Sequence, residues 1–124
     1  MKDCVGLETA KKLQDAGIYF RNSFRMYCVG CSENKIILRS EIKKYNKLKL
    51  RNMICNAPTT NEMLEWLPEI IEHKNVVSKS LDISRIVDLY IVEYADIVDS
   101  QKRNSSLQEA LAKLCLWVRK EGHK

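Results

Sequence analysis

Cys28 and Cys31, in Cys28-Val29-Gly30-Cys31, are the two residues of this chain whose type and spacing point most directly to chemistry. A Cys-x-x-Cys redox pair follows a strand and opens a helix, whose N-terminus lowers the pKa of the attacking thiol. Here Ser32-Glu33-Asn34 and then Ile36-Ile37-Leu38 follow, which read as a turn and a strand. A structural zinc site needs a second pair of ligands. The other candidates, Cys4, Cys55, His73 and His123, are not paired at zinc spacing. Within one regular strand Cys28 and Cys31 would also point to opposite faces. We therefore expect a structural role for both, and purified protein without stoichiometric zinc.

Acid–base chemistry has few candidates. His73 and His123 are the only histidines, and His123 falls in what reads as a frayed tail. Glu93 and Asp96 lie near the end of the most strand-like run, where a catalytic carboxylate could sit, but such residues are far more often a strand-edge residue and a turn former. The four glycines are scattered, so no phosphate-binding loop can be assembled. The residues thus name no catalytic, cofactor-binding or metal-binding set, and a non-enzymatic protein is expected.

Charge is the other feature that could act on a partner. The chain carries a formal +5, yet Lys35 to Arg51 alone holds seven bases (Lys35, Arg39, Lys43, Lys44, Lys47, Lys49, Arg51) against Glu41. Attraction to an acidic partner would concentrate there. If nucleic acid binds, Lys43, Lys44, Lys47, Lys49 and Arg51 should contact phosphates, since Tyr45 is the only aromatic platform among them. A solvated charged loop is the commoner meaning of such a segment.

The elements that must position these residues are legible in part. Leu7, Ala10, Leu13 and Ala16 mark a first helix stopped by Gly17. Met26-Tyr27-Cys28-Val29 and Ile36-Ile37-Leu38 suggest a β-hairpin, and Met53-Ile54-Cys55 a returning strand that ends at Asn56-Ala57-Pro58. Residues 40–51 fit either a basic loop or an extension of that hairpin. Thr59 and Glu62 form a capping-box pattern for a second helix, with Met63, Leu64, Trp66, Leu67, Ile70 and Ile71 on one face. Pro68 should end or kink it near Leu67. His73 to Ser84 reads as a strand and a turn. Arg85 to Tyr94, apolar on both faces, reads as one central strand, and Asp99 to Ser105 as a polar loop. Ser106 and Glu109 form a second capping box, opening a helix with Leu107, Ala110, Leu111, Leu114 and Val118 on one face and Gly122 at its end. Cys115 lies among its leucines, where a free thiol acts as a small hydrophobe. Trp66 and Trp117 are expected in the core or at a contact surface.

Together these elements predict a single α+β domain over residues 1–124, with three helices packed on a small, mainly antiparallel sheet. At 45% hydrophobic and 30% charged residues the chain has a globular composition. The start Met1-Lys2-Asp3-Cys4-Val5-Gly6 lacks a signal peptide's apolar core, and no apolar run is long enough to cross a bilayer. The five cysteines, odd in number and without framework spacing, agree with a reducing cytoplasm and no disulfides.

Two segments carry a resemblance. Asn56-Ala57-Pro58-Thr59-Thr60-Asn61-Glu62-Met63-Leu64-Glu65-Trp66-Leu67-Pro68 and Ser106-Leu107-Gln108-Glu109-Ala110-Leu111-Ala112-Lys113-Leu114-Cys115-Leu116-Trp117 resemble small uncharacterised proteins of phages and prophages. Ala10-Lys11-Lys12-Leu13 with Ala16-Gly17 matches a first short helix of that group. The resemblance implies a compact α+β accessory protein with no assigned activity. It assigns no role to the cysteines or the basic segment. A protein partner or a homodimer follows as the expected mode of action, with nucleic acid as the alternative and no membrane contact.

Overall fold

The structure, a computed structural model, describes residues 4–20, 25–28, 36–38 and 54–124, giving only backbone and pairing for the strands within residues 25–56. Its elements run α1 (Leu7–Asp15), β1 (Arg25–Cys28), β2 (Ile36–Leu38), β3 (Ile54–Asn56), α2 (Thr60–Trp66), β4 (Ile71–His73), β5 (Val76–Ser78), β6 (Leu81–Ile86), β7 (Leu89–Tyr94), β8 (Lys102–Asn104) and α3 (Leu107–Lys120), with a 3-10 turn at Val98–Ser100 before β8. This is an α+β fold with three helices and antiparallel strand pairing throughout the described residues.

Helix boundaries follow local chemistry. The capping box of α2 is complete: the Glu62 amide donates to Thr59 Oγ1 at 3.4 Å and the Thr59 amide to Glu62 Oε1 at 3.1 Å. Leu67, at φ −64° and ψ 134°, leaves the helix because the ring of Pro68 disfavours helical geometry in the residue before it. The apolar face expected to continue through Ile70 and Ile71 therefore divides. Ile71 enters the core from β4, while Ile70 is exposed.

The box predicted at α3 is only half formed. The Glu109 amide donates to Ser106 Oγ at 3.3 Å, but the Ser106 amide donates instead to Asn104 Oδ1 at 2.9 Å. The Glu109 carboxylate turns away to accept from Thr9 Oγ1 at 2.9 Å, which ties α3 to α1.

Both long helices close in the same way. Gly17 (φ 76°) lets Ile18 donate to the Leu13 carbonyl, and Gly122 (φ 75°) lets His123 donate to that of Val118, each bond 3.0 Å long. These are paired Schellman closures, each requiring a residue that tolerates the left-handed region.

The described strands form three small antiparallel sheets. β1 lies between β2 and β3, with Met26 opposite both Ile37 and Asn56, so the predicted hairpin and returning strand are present. β4 and β5 form a tight hairpin, while β7 lies between β6 and β8. The run read as one strand over Arg85–Tyr94 is broken. Ile86 pairs with Leu89, and Val87-Asp88 forms a two-residue turn with Val87 at φ 54°. Hydrophobic content hid this turn, because a β-branched residue rarely adopts positive φ. The second half, β7, is central as expected, with Ile91 and Val92 buried on opposite faces. The predicted loop over 99–105 contains the 3-10 turn and β8.

The core lies where α3 crosses β7, α1 and α2. Val5, Leu13, Met63, Val92, Tyr94, Leu111, Leu114, Cys115 and Val118 are almost fully buried. Each large apolar side chain so buried contributes about 1.5–3 kcal/mol. Two carboxylate oxygens, Glu62 Oε2 and Glu109 Oε2, are buried without a hydrogen-bond partner, while other polar groups inside are matched. Tyr94 Oη donates to the Pro68 carbonyl at 2.7 Å, and Ser100 Oγ accepts the Tyr94 amide at 2.9 Å.

Candidate functional site: a histidine pair against Trp117

Three well-separated parts of the chain meet at one end of α3. His73 closes β4, immediately before the Lys74-Asn75 turn (φ 50° and 67°), whose two positive φ values suit a tight two-residue hairpin. Asp99 sits in the 3-10 turn, anchored by its neighbour Ser100, whose hydroxyl donates to the Ile97 carbonyl at 2.6 Å. The helix closure at Gly122 turns His123 back over α3. His123 is therefore a held residue rather than part of a frayed tail, and that expectation is corrected.

The side chains form a chain of contacts. His73 Nε2 lies 3.3 Å from Asp99 Oδ2, and His73 Nδ1 lies 3.1 Å from His123 Nε2. An ionised carboxylate only accepts, so Asp99 places the hydrogen of neutral His73 on Nε2. Nδ1 is then left with its lone pair, to which His123 Nε2–H donates. Trp117, itself 9% exposed, packs against both imidazoles at centroid distances of 5.0 Å for His73 and 5.3 Å for His123. Such ring contacts fix orientation as well as adding contact energy.

Cations surround the pair. Lys74 Nζ donates to Asp99 Oδ2 at 2.9 Å, and this hydrogen bond, then that from His73, holds the Asp99 carboxyl below its usual range. The same contact raises the Lys74 ammonium. Lys102 stands over Trp117 at 5.9 Å, and burial there lowers its ammonium despite the opposing fields of Asp99 and Glu121. The end of α3 is pinned further: Lys124 Nζ donates to the Trp66 carbonyl and sits 4.9 Å above that ring.

As chemistry, the Asp99–His73–His123 row can hold a proton or present nitrogen lone pairs. Among the described residues no hydroxyl or thiol nucleophile bonds to either ring, and no set of three or more His, Cys, Asp or Glu side chains is arranged to hold a metal ion. An open cleft of about 290 Å³ is lined by Leu64, Leu67, Pro68, Glu69, Lys79 and Leu81, away from the histidine pair.

The residues singled out in the sequence separate clearly. Cys28 ends β1, while Cys31 lies outside the described residues. So do Lys43, Lys44, Lys47, Lys49 and Arg51, with the rest of residues 39–53. Cys4 and Cys115 are buried, and Cys115 is a free thiol. Glu93 is a strand residue that accepts from Gln101 Nε2 at 3.2 Å, and Asp96 is an exposed turn residue at φ 67°. Neither meets a histidine. The signal that could have found the pair was Gly122 followed directly by His123, because a glycine closure fixes the residue after it. Among the described residues, no helix is long and apolar enough to cross a membrane. Comparison with protein families, with curated proteins and with solved structures finds no match to this chain.

Proposed function

We propose that this chain is a non-enzymatic interaction protein of phage or mobile-element origin, acting in the bacterial cytoplasm through a protein partner or a second copy of itself. The observation that carries this reading is the tip of the β6–β7 hairpin. Ile86 and Val87 are 60% and 82% exposed there, and Ile83 and Leu89 are each 44% exposed. The apolar side chains occupy both faces of the tip, beyond the reach of the core. A clustered apolar surface of this kind is characteristic of a contact site. Val87 is also strained, at a cost of about 1–2 kcal/mol for a β-branched residue in the left-handed region. Strain retained at an exposed position is a feature of functional surfaces.

The test is copurification from host lysate, with and without nuclease, alongside sedimentation of the purified chain. Each is repeated with Ile86→Thr/Leu89→Thr, whose facing threonines keep the cross-strand pair. A partner or dimer that survives nuclease and is lost in the double variant is the expected result. Turnover of a nucleotide, peptide or ester by the isolated protein, abolished by a single side-chain change, would refute the proposal. Partners that vanish with nuclease and with Lys43→Glu/Lys47→Glu would favour phosphate contact through the basic segment, with a log–log salt slope near −3.6 for about four phosphates.

A further inference from the structure

We infer that His73 and His123 form a two-imidazole binding site for a borderline divalent transition ion, of the class of Ni²⁺, Cu²⁺ or Zn²⁺. The first support is the separation of the donor atoms. His73 Nδ1 and His123 Nε2 stand 3.1 Å apart. Two nitrogens bound to one ion at about 2.05 Å, with an angle of about 100° between them, are separated by roughly the same distance. The ion would sit to one side of the line between the two nitrogens and replace their hydrogen bond, with the His123 proton moving to its Nδ1.

The second support is Asp99. It faces the other nitrogen of His73 at 3.3 Å, so the Nδ1 lone pair is the one directed toward His123. A carboxylate behind a ligating imidazole is the usual orienting partner in histidine metal sites. Lys74 occupies the same carboxylate oxygen at 2.9 Å, which keeps Asp99 in this supporting place rather than on the ion. Trp117 fixes the planes of both rings.

Two protein ligands leave the remaining coordination positions to solvent. The Asp99 side chain is half exposed, so water can reach the edge of the cluster. Neutral nitrogen donors select borderline ions over Mg²⁺ or Ca²⁺, which prefer oxygen. Lys74, bonded to Asp99, and Lys102, over Trp117, oppose a dication, while Asp99 favours it. Affinity must therefore come from coordination rather than net field. An open two-ligand site of this kind fills when metal is supplied, in keeping with the expectation that the protein purifies without stoichiometric zinc.

The test titrates Ni²⁺, with Mg²⁺ as control, into the full reduced chain after chelator treatment, following heat and the ring resonances of both histidines. One Ni²⁺ per chain, no Mg²⁺ binding and perturbation of both rings are expected. His123→Ala should weaken binding at least tenfold, and Asp99→Asn by about 10- to 100-fold. His123 is partly buried against Trp117 but lies outside the core cluster, and circular dichroism of this variant separates coordination from folding. Undiminished binding by His123→Ala would overturn the inference, because a cysteine or another site would then hold the metal. Perturbation of one ring alone, equal response to Mg²⁺, or no saturable binding would overturn it as well.

Discussion

Replacing Cys115 by alanine should flatten the fall of stability at alkaline pH. Cys115 is fully buried in α3, and burial pushes its thiol from the usual 9.0 up to about 12 against a weaker opposing pull from Lys124. Folding therefore favours the protonated form. The resulting stabilisation is fully present below the unfolded value near 9 and is lost as pH rises toward the folded value near 12. Within that window each pH unit removes about 1.4 kcal/mol. Between about pH 8 and about pH 10 the native protein should lose on the order of 1 kcal/mol through this group alone, and several times that over the whole window. Tyr94, whose phenol is raised by burial and then by the neighbouring Cys115, adds its own loss only above its ordinary value of 10.0, so the comparison is read below that pH. The assay is urea unfolding under reductant, followed by tryptophan fluorescence at a series of pH values, comparing the native chain with Cys115→Ala. Parallel decline of the two proteins over the interval would refute the argument, because the unfolded thiol would then gain nothing by ionising.

Three further outcomes are expected. Val87→Gly should raise stability by about 0.5–1 kcal/mol in the same unfolding assay, since glycine adopts the left-handed turn without steric cost but gives back some chain entropy. Ser100→Ala should lower it by about 1–3 kcal/mol, because the buried Tyr94 amide loses its acceptor. Gly122→Ala should cost about 1–2 kcal/mol. An added Cβ there meets no atom within 4 Å, so any loss reports backbone strain alone, and His123 ring resonances should shift as the closure loosens.

What could be read in advance was local, and what could not was brought together by the fold. Thr59 with Glu62 announces α2 because both partners lie within one turn of helix. Gly17 and Gly122 announce two helix ends because positive φ is expensive for other residues. The same local logic misled at Ser106, where Asn104 captured the amide and a distant threonine captured Glu109. It misled again at Val87, where a turn formed on a residue that normally avoids one. The histidine site was invisible for a different reason: residues 73, 99 and 123 carry no shared motif. Their meeting depends on a hairpin, a 3-10 turn and a helix closure, each unremarkable alone.

The tie between α1 and α3 bears on how the chain can be made. Thr9 bonds to Glu109, and Arg119 Nε to the Ala16 carbonyl, across sequence separations of 100 and 103 residues. During synthesis at about 5–20 residues per second, α1 waits several seconds for the helix that covers it. Until then Val5, Leu13, Met63 and Val92 have no α3 to pack against. A nascent chain stalled anywhere before α3 would present those side chains to the cell as bare apolar surface, so this fold makes truncated products targets for chaperones and proteases rather than functional fragments.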